Sequence, residues 1–418
     1  MSRQVHVCEV LVVGAGPAGL VAAYRAAQSG KEVTVVDDNP DAGGQIWRAE
    51  KQKSSSAEAA KWFERIRQAK IQFINGARVY EQPAPGTLLA ENDNDVYELK
   101  YQKLILATGA RELFLPFPGW TLPNVLGAGG LQALVKTGLP IDGRKVVVAG
   151  SGPLLLAVAD YLKRSGANVL CIAEQASRTR VARFGFSLIG NVGKISQAMK
   201  LRGQLSGIRY LNGCWPVAAH GEEQLERVTL QQGERTWAVE CDYLACGFHL
   251  IANVELAQLF GCKTQNGFVT VDDYQRSSIA DVYCAGEITG IGGLELSLVE
   301  GEIAGLAAAG EETSARALFP ARDKQRKFAG ALNRAFELRS ELKDLATPNT
   351  IVCRCEDVTF ERLQSSESWR AAKLHTRCGM GPCQGRICGA AAEFLFSWKF
   401  ESVRPPVFPV RMESMMDE

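Results

Sequence analysis

Five cysteines crowd the last part of the chain. Cys353 and Cys355 flank one arginine, Cys378 follows after 22 residues, and Cys383 and Cys388 come next, each after a gap of four. An iron–sulfur cluster needs four thiolates converging on iron, and a Cys-x-Cys pair with a Cys-x4-Cys pair on turns can supply them. Four cysteines also make a structural zinc site, which is the main rival. Cys378/Cys383 and Cys383/Cys388 have the same spacing, so the pattern leaves the choice between them open. Gly379, Gly381, Gly385 and Gly389 free the backbone to wrap a cluster and to aim N–H groups at sulfur. The other seven cysteines are scattered singly through apolar runs. Clustering of this kind points to a metal site in a reducing compartment, not to a disulfide framework.

A second kind of chemistry is written in glycine. Gly14-Ala15-Gly16-Pro17-Ala18-Gly19 follows an apolar run, Val10 to Val13, and opens an alanine-rich stretch; Asp37 and Asp38 close the next apolar run. That is the context of a dinucleotide fingerprint. Gly14 permits the tight turn, Gly16 lets the backbone approach a pyrophosphate, and Gly19 allows the helix to lie close to the strand. The helix N-terminus offers unpaired N–H groups to the phosphates, and Asp37 can accept hydrogen bonds from ribose hydroxyls.

The pattern recurs as Gly150-Ser151-Gly152-Pro153-Leu154-Leu155, with leucine in place of the third glycine and Glu174 ending the following strand. Leu155 should hold helix and strand apart and distort a pyrophosphate seat. Arg178, Arg180 and Arg183 follow and could pair with phosphates. Two readings stay open: an NAD(P)H site, or a retained scaffold that holds another adenine nucleotide or none.

These residues need two βαβ units in series to position them. Residues 8 to 39 read strand, turn, helix, strand, and residues 144 to 175 repeat the order. Lys103 to Gly109 is a third apolar strand ending in a small-residue turn, Ala107-Thr108-Gly109; Val282 to Glu287 is another, leading into a helix. The expected fold class is therefore α/β, with two Rossmann-like doubly wound domains, the second inserted in the first. Residues 1–118 and 265–310 form the first domain, 119–264 the second, 311–347 a charged helical linker, 348–400 a small iron–sulfur module and 401–418 a tail.

Composition bounds the rest. The chain has 418 residues, 46% apolar and 22% charged, with a net charge of +1, which gives no electrostatic case for nucleic acid or an anionic membrane. No stretch reaches the ~20 apolar residues of a membrane span. The expected location is cytoplasmic, including the inner face of a membrane. The four histidines show no catalytic or metal-ligand spacing, and no acid–base pair stands out, so no catalytic residue is assigned.

Gly43-Gly44-Gln45, Ala107-Thr108-Gly109 and Ala285-Gly286-Glu287, taken with the first glycine loop, resemble the motif set of glutathione-reductase-like flavoproteins. The resemblance implies FAD in the first domain, with the last motif bringing an acid to the ribityl chain; Glu287 stands where aspartate is commoner. The redox-active cysteine pair of that superfamily's disulfide reductases is missing. Thr376 to Cys388 resembles the [2Fe–2S] module related to bacterioferritin-associated ferredoxin. That resemblance implies Cys353, Cys355, Cys383 and Cys388 as ligands, with Cys378 a neighbour.

Over nearly its whole length the chain is similar to the A or α subunits of heteromeric amino-acid dehydrogenases, including opine oxidases, hydrogen cyanide synthase and proline and hydroxyproline dehydrogenases. Phe117 to Pro123, Gly129 to Ala133, Cys246 to Leu256 and Val403 to Pro406 carry the likeness; His249 and Ala252 depart from it, where glycine and proline are usual. The resemblance implies an electron-relaying subunit. Its partners are an amino-acid-oxidase-like catalytic β subunit binding FAD and, in some members, an FMN at the subunit boundary and a small ferredoxin-like γ subunit. Opines, proline or hydroxyproline isomers and glycine are all compatible substrates. The alternatives are a self-sufficient NAD(P)H-dependent reductase and a non-enzymatic scaffold.

Overall fold

A computed structural model describes residues 3–48, 57–188, 193, 200–399 and 403–416. The chain divides into two compact units, one comprising Met1–Arg111, Ala252–Gly330 and Ser402–Glu418, the other Glu112–Ile251 and Ala331–Glu401.

The first unit is built on β1 (Arg3–Val13), whose last four residues are apolar and buried. A strand covered on both faces reads as a continuous apolar run. β1 pairs in parallel with β2 (Val33–Asp37) and β6 (Val96–Leu106). Helix α1 (Pro17–Gln28) connects β1 to β2, with Pro17 in the first turn, where its missing N–H costs nothing. β3 (Ile71–Asn75), β4 (Arg78–Ala84) and β5 (Thr87–Glu91) complete the order β3-β2-β1-β6-β5-β4. The strand Val282–Cys284 returns to pair in parallel with Leu104 to Leu106 of β6. The helix that follows, Leu294–Ala308, lies against α1, and its glycines set the approach: a Cβ at Gly301 would meet the Ala18 carbonyl oxygen and one at Gly305 the Ala22 carbonyl oxygen. The tail is pinned here too, Val407 donating its N–H to the Tyr80 carbonyl at 2.9 Å and the Tyr80 hydroxyl donating to the Ser414 carbonyl at 3.1 Å.

The second unit repeats the plan. Its parallel sheet runs Arg209–Asn212, Asn168–Glu174, Lys145–Gly150, Tyr243–Gly247, Val125–Gly127. The helix Leu154–Arg164 covers it with Leu155, Val158, Ala159 and Leu162, an i, i+3, i+4, i+7 face. A three-stranded antiparallel sheet, Cys214–His220, Arg227–Gln232 and Arg235–Glu240, adds Trp215, Val228 and Leu230 to a further core. The cysteine-rich segment packs on that core through Ile387, Ala390 and Phe394, and the Trp120 indole donates to the Ile351 carbonyl at 2.6 Å.

Boundaries differ from those read in the sequence. The crossings fall after Arg111 and after Ile251, not at 118 and 264, because Leu113 to Phe117 already pack into the second core. The segment 311–347 holds the helices Glu312–Arg316 and Phe319–Ala335. Among the described residues, no helix is long and apolar enough to cross a membrane.

Candidate functional site

The first glycine loop is held by its own backbone. Gly14 has φ +105° and donates its N–H to the Val36 carbonyl at 2.8 Å; a Cβ there would strike the Ala107 carbonyl oxygen. Gly19 is wedged below it, since a Cβ would meet the Gly14 carbonyl oxygen and lie 3.2 Å from the Ala107 Cβ. Both glycines are therefore demanded by contact. Gly16 differs: a Cβ there would meet no protein atom within 4 Å. Its backbone faces open space at the N-terminus of a twelve-residue helix, the arrangement a pyrophosphate requires.

Asp37 fastens the loop. One carboxylate oxygen takes the Ala15 N–H, and the other accepts from the Asn39 backbone at 2.7 Å and side chain at 2.8 Å. A carboxylate has about four lone-pair positions, so acceptor capacity is left for a ribose hydroxyl. Asp38 is half exposed and pairs with Arg78 at 3.5 Å. Gly44, in the short helix Gly44–Trp47, sits so near the loop that a Cβ would come 2.9 Å from the Gly16 Cα, while Gln45 is exposed.

The Ala107-Thr108-Gly109 turn is tied down by a residue that motif spacing does not reveal. Asn253 donates from its side chain to the Thr108 carbonyl at 2.9 Å and from its backbone to the Gly109 carbonyl at 3.0 Å, and its own carbonyl accepts the Thr108 hydroxyl at 2.6 Å. Its side-chain oxygen accepts from Arg111 at 2.6 Å. Its one sequence signal is its place in the segment from Cys246 to Leu256 that carries the family likeness.

The third motif is organised by Glu300, which no sequence motif singles out. This buried carboxylate accepts the Gly286 N–H at 3.2 Å, the Thr289 hydroxyl at 2.9 Å and the Arg326 guanidinium at 2.9 and 3.1 Å. Gly286, at φ +82°, stands where a Cβ would come 2.8 Å from the Ala18 Cβ, so this turn abuts α1. Beside it Glu287 is partly buried, and burial alone pushes its carboxyl above the usual range. A desolvated acid beside an open glycine loop fits a site built for a polar cofactor, and the donor and acceptor set fits FAD.

The second glycine loop is built alike but has more neighbours. Gly150, at φ +141°, would strike the Gly247 carbonyl oxygen with a Cβ, as Gly14 would strike Ala107. Leu155 is fully buried, and its Cδ2 reaches 3.4 Å from where a Cβ would stand on Gly247. A missing side chain at Gly247 makes the room that Gly19 makes in the first loop. Phe336 lies against this loop, its ring 3.8 Å from where a Cβ would stand on Gly152, and packs edge-on with Phe184 at 5.5 Å. The Ser151 hydroxyl donates to the Phe336 carbonyl at 2.8 Å, and the Gln175 amide donates to Ser151 at 2.8 Å and to the Glu337 carbonyl at 3.2 Å. Arg180 is spent on the Glu337 carbonyl at 3.0 Å. Glu174 turns inward, taking the Gly152 N–H at 2.7 Å and the Ala176 N–H at 2.8 Å, and burial raises its carboxyl to about 7.

The five clustered thiols fall into a group of three and a pair. Cys353 ends the strand Ile351–Cys353, Cys378 follows the left-handed Arg377 that ends the helix Trp369–Thr376, and Cys388 begins the helix Cys388–Phe396. Their three buried sulfurs lie within 4.8 Å of one another. The Gly379 N–H points at the Cys353 sulfur from 3.5 Å. The exposed Cys355 lies with its sulfur 3.7 Å from that of Cys383. The loop after Cys378 passes so close that a Cβ on Gly381 would collide with the Cys355 Cβ. Thiols at this spacing fit a metal or cluster site.

Residues 8–312 match the pyridine nucleotide-disulphide oxidoreductase family. The A subunit of opine oxidase from Agrobacterium tumefaciens is 30% identical over 97% of this chain and 91% of its own length. Hydrogen cyanide synthase subunit HcnB of Pseudomonas aeruginosa is 29% identical over 90% of each chain. Among solved structures, L-proline dehydrogenase from P. horikoshii matches all of this chain and 81% of its own, with a TM-score of 0.72 at 19% identity, a likeness of fold. The chain belongs to the pyridine nucleotide-disulphide oxidoreductase family, alongside the A subunit of opine oxidase and the HcnB subunit of hydrogen cyanide synthase, and is an FAD-dependent oxidoreductase.

Proposed function

We propose that this chain is the electron-relaying subunit of a heteromeric dehydrogenase that oxidises the C–N bond of an amino or imino acid. The supporting observation is the pairing of one open glycine loop with one that Phe336 and Glu174 contact, in a chain that also gathers five thiols. Such a chain has somewhere to hold a flavin and a cluster, while its second glycine loop is crowded against a pyridine nucleotide. Its electrons then come from a partner, an amino-acid-oxidase-like flavoprotein, across a boundary where an FMN and a small ferredoxin-like subunit have their place.

Gly14, Gly16, Pro17, Ala18 and Gly19 would hold the FAD pyrophosphate, Asp37 the ribose, with Asp38, Gly44 and Gln45 beside it. Ala107, Thr108 and Gly109, fixed by Asn253, would wall the flavin side, and Gly286 and Glu287 would meet the ribityl chain. Gly150, Gly152 and Glu174 serve as scaffold. Cys353, Cys355, Cys383 and Cys388 would hold a [2Fe–2S] cluster, with Cys378 beside them. When bound, the flavin takes two electrons and the cluster passes them on singly. The relatives' names point to an opine or proline as substrate.

The test is to purify the chain with its partner flavoprotein, measure FAD, iron and acid-labile sulfide, and follow anaerobic dye reduction. Reduction by an opine, proline, hydroxyproline or glycine, with no flavin bleaching by NADH or NADPH, is expected. Bleaching of the isolated chain by NADH at ~1 s⁻¹ or faster, a working enzymatic rate, would instead make it a self-sufficient reductase.

A further inference from the structure

Five thiols converge where a two-iron cluster uses four, and the geometry points to a built-in spare. We infer that Cys378 and Cys388 are interchangeable ligands, either of them completing the set begun by Cys353, Cys355 and Cys383. This rests on the cluster reading above.

Two thiolates on one tetrahedral metal with bonds of about 2.3 Å stand about 3.8 Å apart. Cys355 and Cys383, at 3.7 Å, already have the spacing of a pair that shares one iron. The other iron then draws on the buried triad, Cys353, Cys378 and Cys388. Cys353 is common to every choice: its sulfur lies within 4.8 Å of both other buried sulfurs, and the Gly379 N–H points at it from 3.5 Å. One more thiolate is needed, and two equally buried thiols stand beside Cys353 to give it.

Separate elements bring them there. Cys378 is set by the left-handed turn at Arg377, φ 66°, whereas Cys388 starts a helix anchored by the Gly389 N–H on the Gly385 carbonyl at 2.7 Å. Both sit in one small core with Val352, Leu363 and Trp369, so removing one thiol leaves the backbone that carries the other in place. The sequence could not show this, because equal spacing to Cys383 says nothing of which sulfur faces the metal.

The experiment measures iron and acid-labile sulfide per full-length chain, purified anaerobically, with the electron paramagnetic resonance spectrum of the reduced protein. It compares wild type, Cys378→Ala, Cys388→Ala, the double variant and Cys353→Ala, with FAD content and circular dichroism as the check on folding. Each single change at 378 or 388 should keep nearly wild-type iron and sulfide with two distinguishable spectra, while the double variant and Cys353→Ala fall roughly tenfold or more, as for loss of an obligatory ligand. Cluster loss from either single variant that still folds, or retention in the double variant, overturns the inference. If an alanine variant fails to fold, valine, which fills the thiol's volume without a donor atom, takes its place under the same criteria. Zinc without labile sulfide in the wild type would instead remove the cluster reading itself, a result separable from all of these.

Discussion

Gly16 and Gly152 hold equivalent places in the two glycine loops, yet a side chain added to the first would meet no protein atom within 4 Å, and one added to the second would touch the Phe336 ring. The acids that end the second strands diverge in the same way. Asp37 reaches the N–H of Ala15, whereas Glu174, one methylene longer, reaches one residue further and takes the N–H of Gly152 itself. That N–H is among the groups a pyrophosphate would need. Leucine for glycine in the fingerprint turns out to be tolerated by packing, since Leu155 fills space that Gly247 leaves. A glycine fingerprint thus reports a backbone geometry, and what reaches that backbone from elsewhere decides whether a ligand can.

The largest expected effect separates the loops by flavin content. Gly16→Val should cut bound FAD roughly tenfold or more, because the branched side chain fills the approach to the backbone amides that a pyrophosphate needs. Full flavin content in a folded Gly16→Val protein would break the comparison at its root. Next comes Phe336→Ala, which removes a largely buried ring, 9% exposed, from a cluster with Ala176 and Ala335 and should cost about 3 kcal/mol of stability. It should also uncover Gly152 enough for weak NADH binding, readable as quenched nicotinamide fluorescence that wild type lacks. If wild type already quenches it, Phe336 does not obstruct the second loop.

How much of this was legible depends on how local each cause is. Gly19 is required by the Gly14 carbonyl five residues away, while Gly14 is required by Ala107 and Thr108 of another quoted motif, so the loop's glycine spacing carries a contact the sequence alone does not display. The clustering of thiols was plain, but not their grouping into an exposed pair and a buried triad, which depends on turns at Arg377 and Gln384, both at positive φ. Phe336 could not be found at all: it is one apolar residue in a charged stretch, and its target, Gly152, lies far away in sequence. Glu300 was hidden for the same reason, and Asn253 showed only as part of the Cys246 to Leu256 likeness, its role not legible because its partners come together only in the fold.

A smaller effect should appear in pH dependence. Burial raises the Glu174 carboxyl from 4.5 to about 7, so the folded protein binds this proton more tightly than the unfolded chain does. Its contribution is complete below about pH 4.5 and is lost as pH rises towards about 7, at most about 3 kcal/mol. Glu174→Gln keeps a carbonyl acceptor but cannot titrate, so denaturant midpoints measured across that window should lose this slope. An unchanged slope would mean that the two backbone N–H groups keep the carboxylate ionised.

The smallest effect is the sharpest comparison, between alanine at Gly152 and alanine at Gly16. Gly152 has φ +92°, where an L-residue costs roughly 1–2 kcal/mol, and the added methyl would stand at ordinary contact distance from Phe336, so the whole penalty is backbone. Gly16 has φ −71° and an open face, so alanine there carries neither penalty. The two substitutions should therefore dissociate. Gly152→Ala should lower the unfolding midpoint by a few degrees with flavin content intact. Gly16→Ala should leave the stability of the flavin-free protein nearly unchanged while lowering flavin affinity, measured by equilibrium dialysis of the stripped protein against FAD. Loss of flavin from Gly152→Ala, or an unaltered affinity in Gly16→Ala, would show that the loops do not divide their roles between ligand and scaffold.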